Sequence, residues 1–134
     1  SDVIKETQID NSINYVGYIS NPDDLASIYQ QCDIFVMPSF SESFGLSYLE
    51  AMSQGLPVIY SRNQGIDGFF KDYVIGSGIN PKSPDDIAES IKLIISQLDK
   101  ISYRCLNEVQ QFTWDNIAKA YYDSYMECVG EVVR

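Results

Sequence analysis

The chain has 134 residues, 45% of them hydrophobic and 21% charged, with 9 basic against 19 acidic residues for a formal net charge of −10 at pH 7. One compact domain fits that length and two do not. The acidic balance and scattered lysines and arginines exclude nucleic-acid binding and a polybasic membrane patch, and no apolar run approaches the ~20 residues of a membrane span.

The polar stretch Ser1–Asp10 carries no signal-peptide pattern. Because the first residue is not methionine, we expect the chain to be a portion of a longer protein. Ile13–Ile19 reads as a short strand. Asn21-Pro22-Asp23-Asp24 then has the marks of a helix start: a polar cap, proline in the first turn, and acids at the positive dipole end. Leu25, Ile28, Tyr29 and Cys32 follow at i, i+3, i+4 and i+7, predicting one buried face. Asp33–Met37 is a continuous apolar run of strand length, predicting a central parallel strand covered on both sides and ended by Pro38. Asp33 is expected to cap or tether its entrance.

A helix follows to about Gly55, its C-terminal cap. Leu56–Ser61 reads as the next strand, with proline at its entrance. Ser61–Gly68 is a loop, and a short edge strand is expected around Tyr73–Ile75 and again near Ile79. Ser83-Pro84-Asp85-Asp86 opens a second well-marked helix, with Ile87, Ala88, Ile91, Ile94, Ile95 and Leu98 on its inner face. Two further helices are predicted, Ile101–Phe112 and Trp114 onward, the last with an aromatic stripe including Tyr121, Tyr122 and Tyr125. That stripe is expected to pack into the core or against a partner domain; left uncovered, it would favour pairing of chains. Strands alternating with helices define an α/β, doubly wound, Rossmann-like parallel sheet, which takes ligands at the carboxyl ends of its strands.

The cysteines Cys32, Cys105 and Cys128 are far apart, in no metal-ligand spacing. They read as small buried residues in a reducing cytosol. Without any histidine, Ser-His-Asp and Cys-His catalysis are excluded and a zinc site is disfavoured.

The most informative residues are Glu42 and Glu50, which bracket Ser43-Phe44-Gly45-Leu46-Ser47-Tyr48-Leu49. Glu42 falls in the loop leaving the Asp33–Met37 strand and Glu50 on the next helix. A chain entering a helix presents free N–H groups and the positive dipole end, a site for phosphate. Gly45 lets a ligand approach the backbone, and two carboxylates can accept hydrogen bonds from hydroxyls. Hydroxyl, phosphate and hydroxyl together point to a sugar nucleotide.

The run P-S-F-S-E-S-F-G-L-S-Y-L-E-A-M-S-Q-G-L-P-V-I resembles the signature of group 1 (family-four) retaining glycosyltransferases, enzymes of the GT-B fold. The shared elements are E-x7-E, the F-G pair, E-A-M and G-x-P-V. Similarity continues upstream through Tyr15–Ile19, Asp24-Leu25 and Tyr29–Asp33, and downstream through Gly76–Ile91 and Phe112-Thr113-Trp114. It covers about Ile13 to Tyr125.

The resemblance implies that Glu42 is catalytic, facing the donor sugar. It implies that Ser43, Phe44, Gly45 and Leu46 bind the donor phosphate and that Glu50 binds the ribose hydroxyls. Gly65 and Asp67 stand where relatives have a glycine-rich turn followed by an acid, although Gln64-Gly65 here departs from a Gly-Gly pair. No metal or cofactor is implied; the substrate is a nucleotide-diphosphate sugar. By the same resemblance, residues 1–134 are part of the C-terminal donor-binding domain, with about 1–98 forming the sheet-and-helix core and 99–134 the C-terminal helices. The basic diphosphate clamp and the domain that takes an acceptor glycan or glycolipid would precede Ser1, leaving the chain inactive alone. The implied setting is bacterial polysaccharide biosynthesis, cytoplasmic or peripheral at the inner face of the membrane. A non-catalytic nucleotide-sugar binding or interaction module is the alternative, and a GT-B-type epimerase an intermediate one.

Overall fold

A computed structural model describes residues 12–132. The described elements are α1 (Pro22–Tyr29), β1 (Phe35–Met37), α2 (Leu46–Ser53), β2 (Val58–Ser61), β3 (Gly76–Ile79), α3 (Pro84–Ile95), α4 (Leu98–Glu108), a 3₁₀ turn (Val109–Phe112) and α5 (Trp114–Val132). The three strands form one parallel sheet in the order β1-β2-β3, with Phe35 opposite Val58 and Val58 opposite Gly76. This is the α/β architecture expected from the alternating pattern.

Both predicted helix starts are present. The Asn21 side chain accepts the Asp23 N–H at 3.0 Å to begin α1, and the Ser83 hydroxyl accepts the Asp86 N–H at 3.2 Å to begin α3. Each satisfies one of the donors that a helix N-terminus leaves open. At the C-terminus of α2, Gly55 takes φ +82°, the left-handed conformation that closes a helix most readily with glycine.

The core lies between the sheet and α2, α3 and α4. Tyr48, Ala51 and Met52 from α2 pack with Val58, Ile59 and Tyr60 of β2, and with Ile79, Ile94 and Ile101. An aromatic row runs across one face of the sheet: Tyr29, Phe35, Tyr48 and Tyr60 meet successively edge to face, with centroids 5.8, 5.7 and 6.4 Å apart. Such contacts add to the burial of the rings. Burial pushes the Tyr48 and Tyr60 phenols, and the Cys105 thiol, up to about 12. The acidic neighbours Glu42 at Tyr48, and Asp72 and Asp67 at Tyr60, push in the same direction.

Several sequence expectations are corrected. Residues 13–19 form no strand; they join no ladder, and Tyr18 is 93% exposed. A strand needs a hydrogen-bonded neighbour, and β1, the edge of the described sheet, is not paired with this segment. Among the described residues β1 is paired on one side only, with β2, and Val36 is exposed. Asp33 is exposed and makes no hydrogen bond or ion pair among the described residues, so it does not tether the strand entrance. Cys32 is exposed beyond the end of α1, and Cys128 is exposed on α5; only Cys105 is buried. The predicted edge strand lies at Gly76–Ile79 and is wholly buried, because α3 covers it.

On α3, Ile95 is 58% exposed and Ala88 is exposed, while Ser90 is buried and shares a 3.1 Å hydrogen bond with Ser77 of β3. The helix stops at Ile95, and Leu98 begins α4. The aromatic stripe of α5 is not core: Trp114 is 84% and Tyr121 76% exposed.

Gly76 fixes the approach of β3 to β2. At φ +150°, a Cβ there would meet the Val58 carbonyl oxygen inside van der Waals distance. Gly76→Ala is expected to cost more than about 3 kcal/mol or to prevent folding, whereas Gly68→Ala, with open space around it, should cost only about 1 kcal/mol; urea denaturation of the two variants measures the difference. A second outcome follows from the raised thiol and phenols. Below about pH 9 these groups are neutral in both states, and above it they ionise first in the unfolded chain, whose thiol and phenol values are 9.0 and 10.0. Stability to urea should therefore hold up to about pH 9 and fall between there and pH 12.

Candidate functional site at the start of α2

Gly45 is the residue before α2 and takes φ +85°. It offers no side-chain oxygen to cap the helix, so the first amides keep their hydrogens free. The N–H groups of Phe44, Gly45, Leu46 and Ser47 have no acceptor among the described residues, and the Tyr48 N–H donates to the Gly45 oxygen at 3.0 Å. Four amides at the positive end of a helix dipole make an anion site. Tyr48 holds the turn from beneath. A Cβ on Gly45 would stand 2.5 Å from its ring, and its hydroxyl donates to the Met37 oxygen at 2.7 Å, tying α2 to the end of β1.

A second turn packs against this one. Gly65, in the loop after β2, donates its N–H to the Glu42 oxygen at 3.0 Å, and the Gln64 side-chain oxygen accepts the Glu42 N–H at 3.1 Å. Gly65 has φ +54°, and a Cβ there would lie 2.9 Å from the Phe44 oxygen and 3.0 Å from Glu42 Cγ. Only glycine allows the two turns to come so close.

Glu42 is half-buried, and one of its carboxylate oxygens accepts the Ser43 N–H at 2.9 Å. The Ser43 amide is therefore occupied within the loop, unlike those of Phe44, Gly45 and Leu46. Asp67 likewise faces its own loop, its carboxylate accepting the Asn63 N–H at 2.6 Å. Glu50 is exposed and stands one helical turn beyond Leu46 on the same face, about 6 Å along the axis at 1.5 Å per residue. It lines two hollows, one of about 310 Å³ shared with Pro22, Leu25 and Tyr29 of α1, the other of about 350 Å³ shared with Leu46, Phe112 and Trp114. Glu42 lines neither. The two carboxylates flank the aromatic row: Glu42 raises the Tyr48 phenol and Glu50 that of Tyr29, in each case after burial.

The structure thus brings together Glu42, Phe44, Gly45, Leu46 and Gly65, with Glu50 one turn away and Asp67 turned inward. Sequence reading missed the part played by Gln64, whose only signal was its departure from a Gly-Gly pair. A further hollow of about 380 Å³, almost wholly apolar, opens between Phe44, Leu46, Phe69 and Trp114. Among the described residues no group of three or more His, Cys, Asp or Glu side chains is placed to hold a metal ion, and no helix is long and apolar enough to cross a membrane.

A three-stranded parallel sheet flanked by helices is an architecture shared with GT-B glycosyltransferases. The family profile described as "Glycosyl transferases group 1" matches residues 1–107, and the chain belongs to that family. It is 32% identical over 136 residues to an uncharacterized glycosyltransferase of Methanocaldococcus jannaschii, covering 96% of this chain and 35% of that protein. It is 28% identical to a D-inositol 3-phosphate glycosyltransferase of Corynebacterium kroppenstedtii, covering 96% and 29%. Among solved structures, sucrose-phosphate synthase of Thermosynechococcus elongatus superposes with a TM-score of 0.80 at 26% identity, covering 97% and 33%. The chain spans about a third of the length of these proteins.

Because the two turns touch through Gly65, Gly65→Ala should push them apart while leaving the core intact. In amide NMR spectra, the Glu42, Phe44 and Gly45 signals are expected to move, and those of α3 and α4 to stay in place; unchanged cradle signals would contradict the contact.

Proposed function

We propose that these residues are the later part of the donor-binding domain of a glycosyltransferase that moves a hexosyl group from a nucleotide-diphosphate sugar to an acceptor hydroxyl, with retention at the anomeric carbon. The observation that carries this reading is the set of four unpartnered amides at the start of α2 with Glu50 one turn beyond them. The amides would take the pyrophosphate. Glu50, an acceptor only when ionised, would take the vicinal ribose hydroxyls, a span that suits one helical turn.

Glu42, in the loop that leads to the amides, would face the sugar. As the bond from the anomeric carbon to the diphosphate breaks, positive charge grows on the ring and negative charge on the leaving group. Glu42 would stabilise the first and the amides the second, and preorganised electrostatics of this kind is often the largest catalytic contribution. The acceptor oxygen then bonds to the same face of the anomeric carbon, its hydroxyl proton passing to the departing diphosphate oxygen, and the nucleoside diphosphate leaves. No metal is required in this scheme.

Domain division follows the same reading, with about 1–98 as the sheet-and-helix core and 99–134 as the C-terminal helices. Arg62, in the loop after β2, lies 3.7 Å from Asp72; a basic clamp on the diphosphate would come from elsewhere in the full-length protein. That protein would also supply the domain for an acceptor glycan or glycolipid, and the exposed aromatic face of α5 is suited to pack against it. The 134-residue chain alone would not turn over. We place the full-length enzyme in the cytoplasm or at the inner face of the membrane, in the synthesis of a surface polysaccharide or glycolipid.

In the full-length protein, Glu42→Gln should lower turnover at least about 100-fold while leaving nucleotide affinity nearly unchanged. Glu50→Ala should weaken nucleotide binding about 10- to 100-fold, the ~1.5–3 kcal/mol of hydrogen bonds to a charged group. Kinetics and calorimetry with uridine, guanosine and adenosine diphosphates and their sugars measure both. Full turnover by Glu42→Gln would overturn the reading, and nucleotide binding without turnover in the parent protein would establish a non-catalytic module instead.

A further inference from the structure

We propose that Gln64 is a positioning residue that sets Glu42 at the donor sugar, an inference that rests on the reading of Glu42 given above. The loop between Pro38 and Gly45 contains neither helix nor strand, so the placement of Glu42 depends on what that loop is tied to. Both backbone groups of Glu42 are tied to the same neighbouring loop, at Gln64 and Gly65. Its N–H donates to Gln64 Oε1 at 3.1 Å, and its carbonyl oxygen accepts the Gly65 N–H at 3.0 Å. These bonds join the loop after β1 to the loop after β2 across 22 residues of sequence.

The carboxylate itself is steered by a third bond, from the Ser43 N–H to Oε1 at 2.9 Å. That bond holds its direction only if the Glu42–Ser43 backbone is fixed. Gln64 supplies half of the fixing. It is half-buried and reaches Glu42 through its side chain, so the bond depends on side-chain length and on an acceptor at its end. Gly65 supplies the other half through backbone alone, which no side-chain replacement can copy. Displacing a reacting group by about 1 Å can cost about 100-fold in rate. Of the four uncovered amides, those of Leu46 and Ser47 belong to α2, which Tyr48 anchors separately to β1. Loss of the Gln64 bond should therefore strike catalysis and spare donor binding.

The test compares two replacements in the full-length enzyme with its sugar-nucleotide donor. Gln64→Met keeps the length of the side chain and removes the acceptor; Gln64→Glu keeps the acceptor. For Gln64→Met the expected result is a kcat lower by roughly 10- to 100-fold, a donor KM within about threefold of the parent and a displaced Glu42 amide resonance. Gln64→Glu should recover most of the lost kcat. An unchanged kcat in Gln64→Met, with Glu42→Gln inactive, would overturn the positioning role and leave the role of Glu42 standing. Equal impairment of Gln64→Met and Gln64→Glu would also overturn it, since the acceptor would then not be the cause. Full activity of Glu42→Gln would overturn both readings together.

Discussion

The contact between two turns governs this structure. The loop after β1 and the loop after β2 approach until the Gly65 amide bonds the Glu42 oxygen, with no room for a Cβ on Gly65. Gly45, at φ +85°, bends the first loop into α2 without capping it. Both glycines are needed for steric reasons, and together they leave a row of amides uncovered where a capped helix would have spent them. The site is thus made by omission: an ordinary Ser or Asp cap would have stabilised the helix by about 1 kcal/mol and closed the place for an anion.

That arrangement shows how a chain with a formal charge of −10 would hold the proposed anionic donor. Remote surface carboxylates are screened by salt beyond about 10 Å, whereas oriented N–H groups act at hydrogen-bond distance and are not screened by ions they exclude. The local field at the start of α2 is set by backbone, and under the proposed reading Glu42 and Glu50 would meet hydroxyls. The sheet supplies rigidity: β1 ends at the loop that bears Glu42, β2 ends at the loop that bears Gly65, and Tyr48 ties α2 to β1.

Much of this was legible in the sequence because it is local. Asn21-Pro22-Asp23-Asp24 and Ser83-Pro84-Asp85-Asp86 announced α1 and α3 through their caps, and E-x7-E with Gly45 announced the helix start that carries the site. What could not be read depends on neighbours distant in sequence. The Ile13–Ile19 segment has the apolar content of a strand but no partner ladder, and Asp33–Met37 has the composition of a central strand but, among the described residues, is paired on one side only. Cys32 sits at a buried helical period yet falls past the end of α1, and the α5 aromatics resemble core but are exposed. The link from Gln64 to Glu42 was invisible because its partner is a backbone amide 22 residues away, reached only after folding.

The central claim is that the four uncovered amides of Phe44, Gly45, Leu46 and Ser47 receive a pyrophosphate. Mapping amide NMR shifts in the full-length protein as a nucleoside diphosphate is titrated tests it most directly. The largest saturable shifts are predicted at those four amides and at Glu50. Saturable binding that leaves them unmoved while shifting other surfaces would contradict the account.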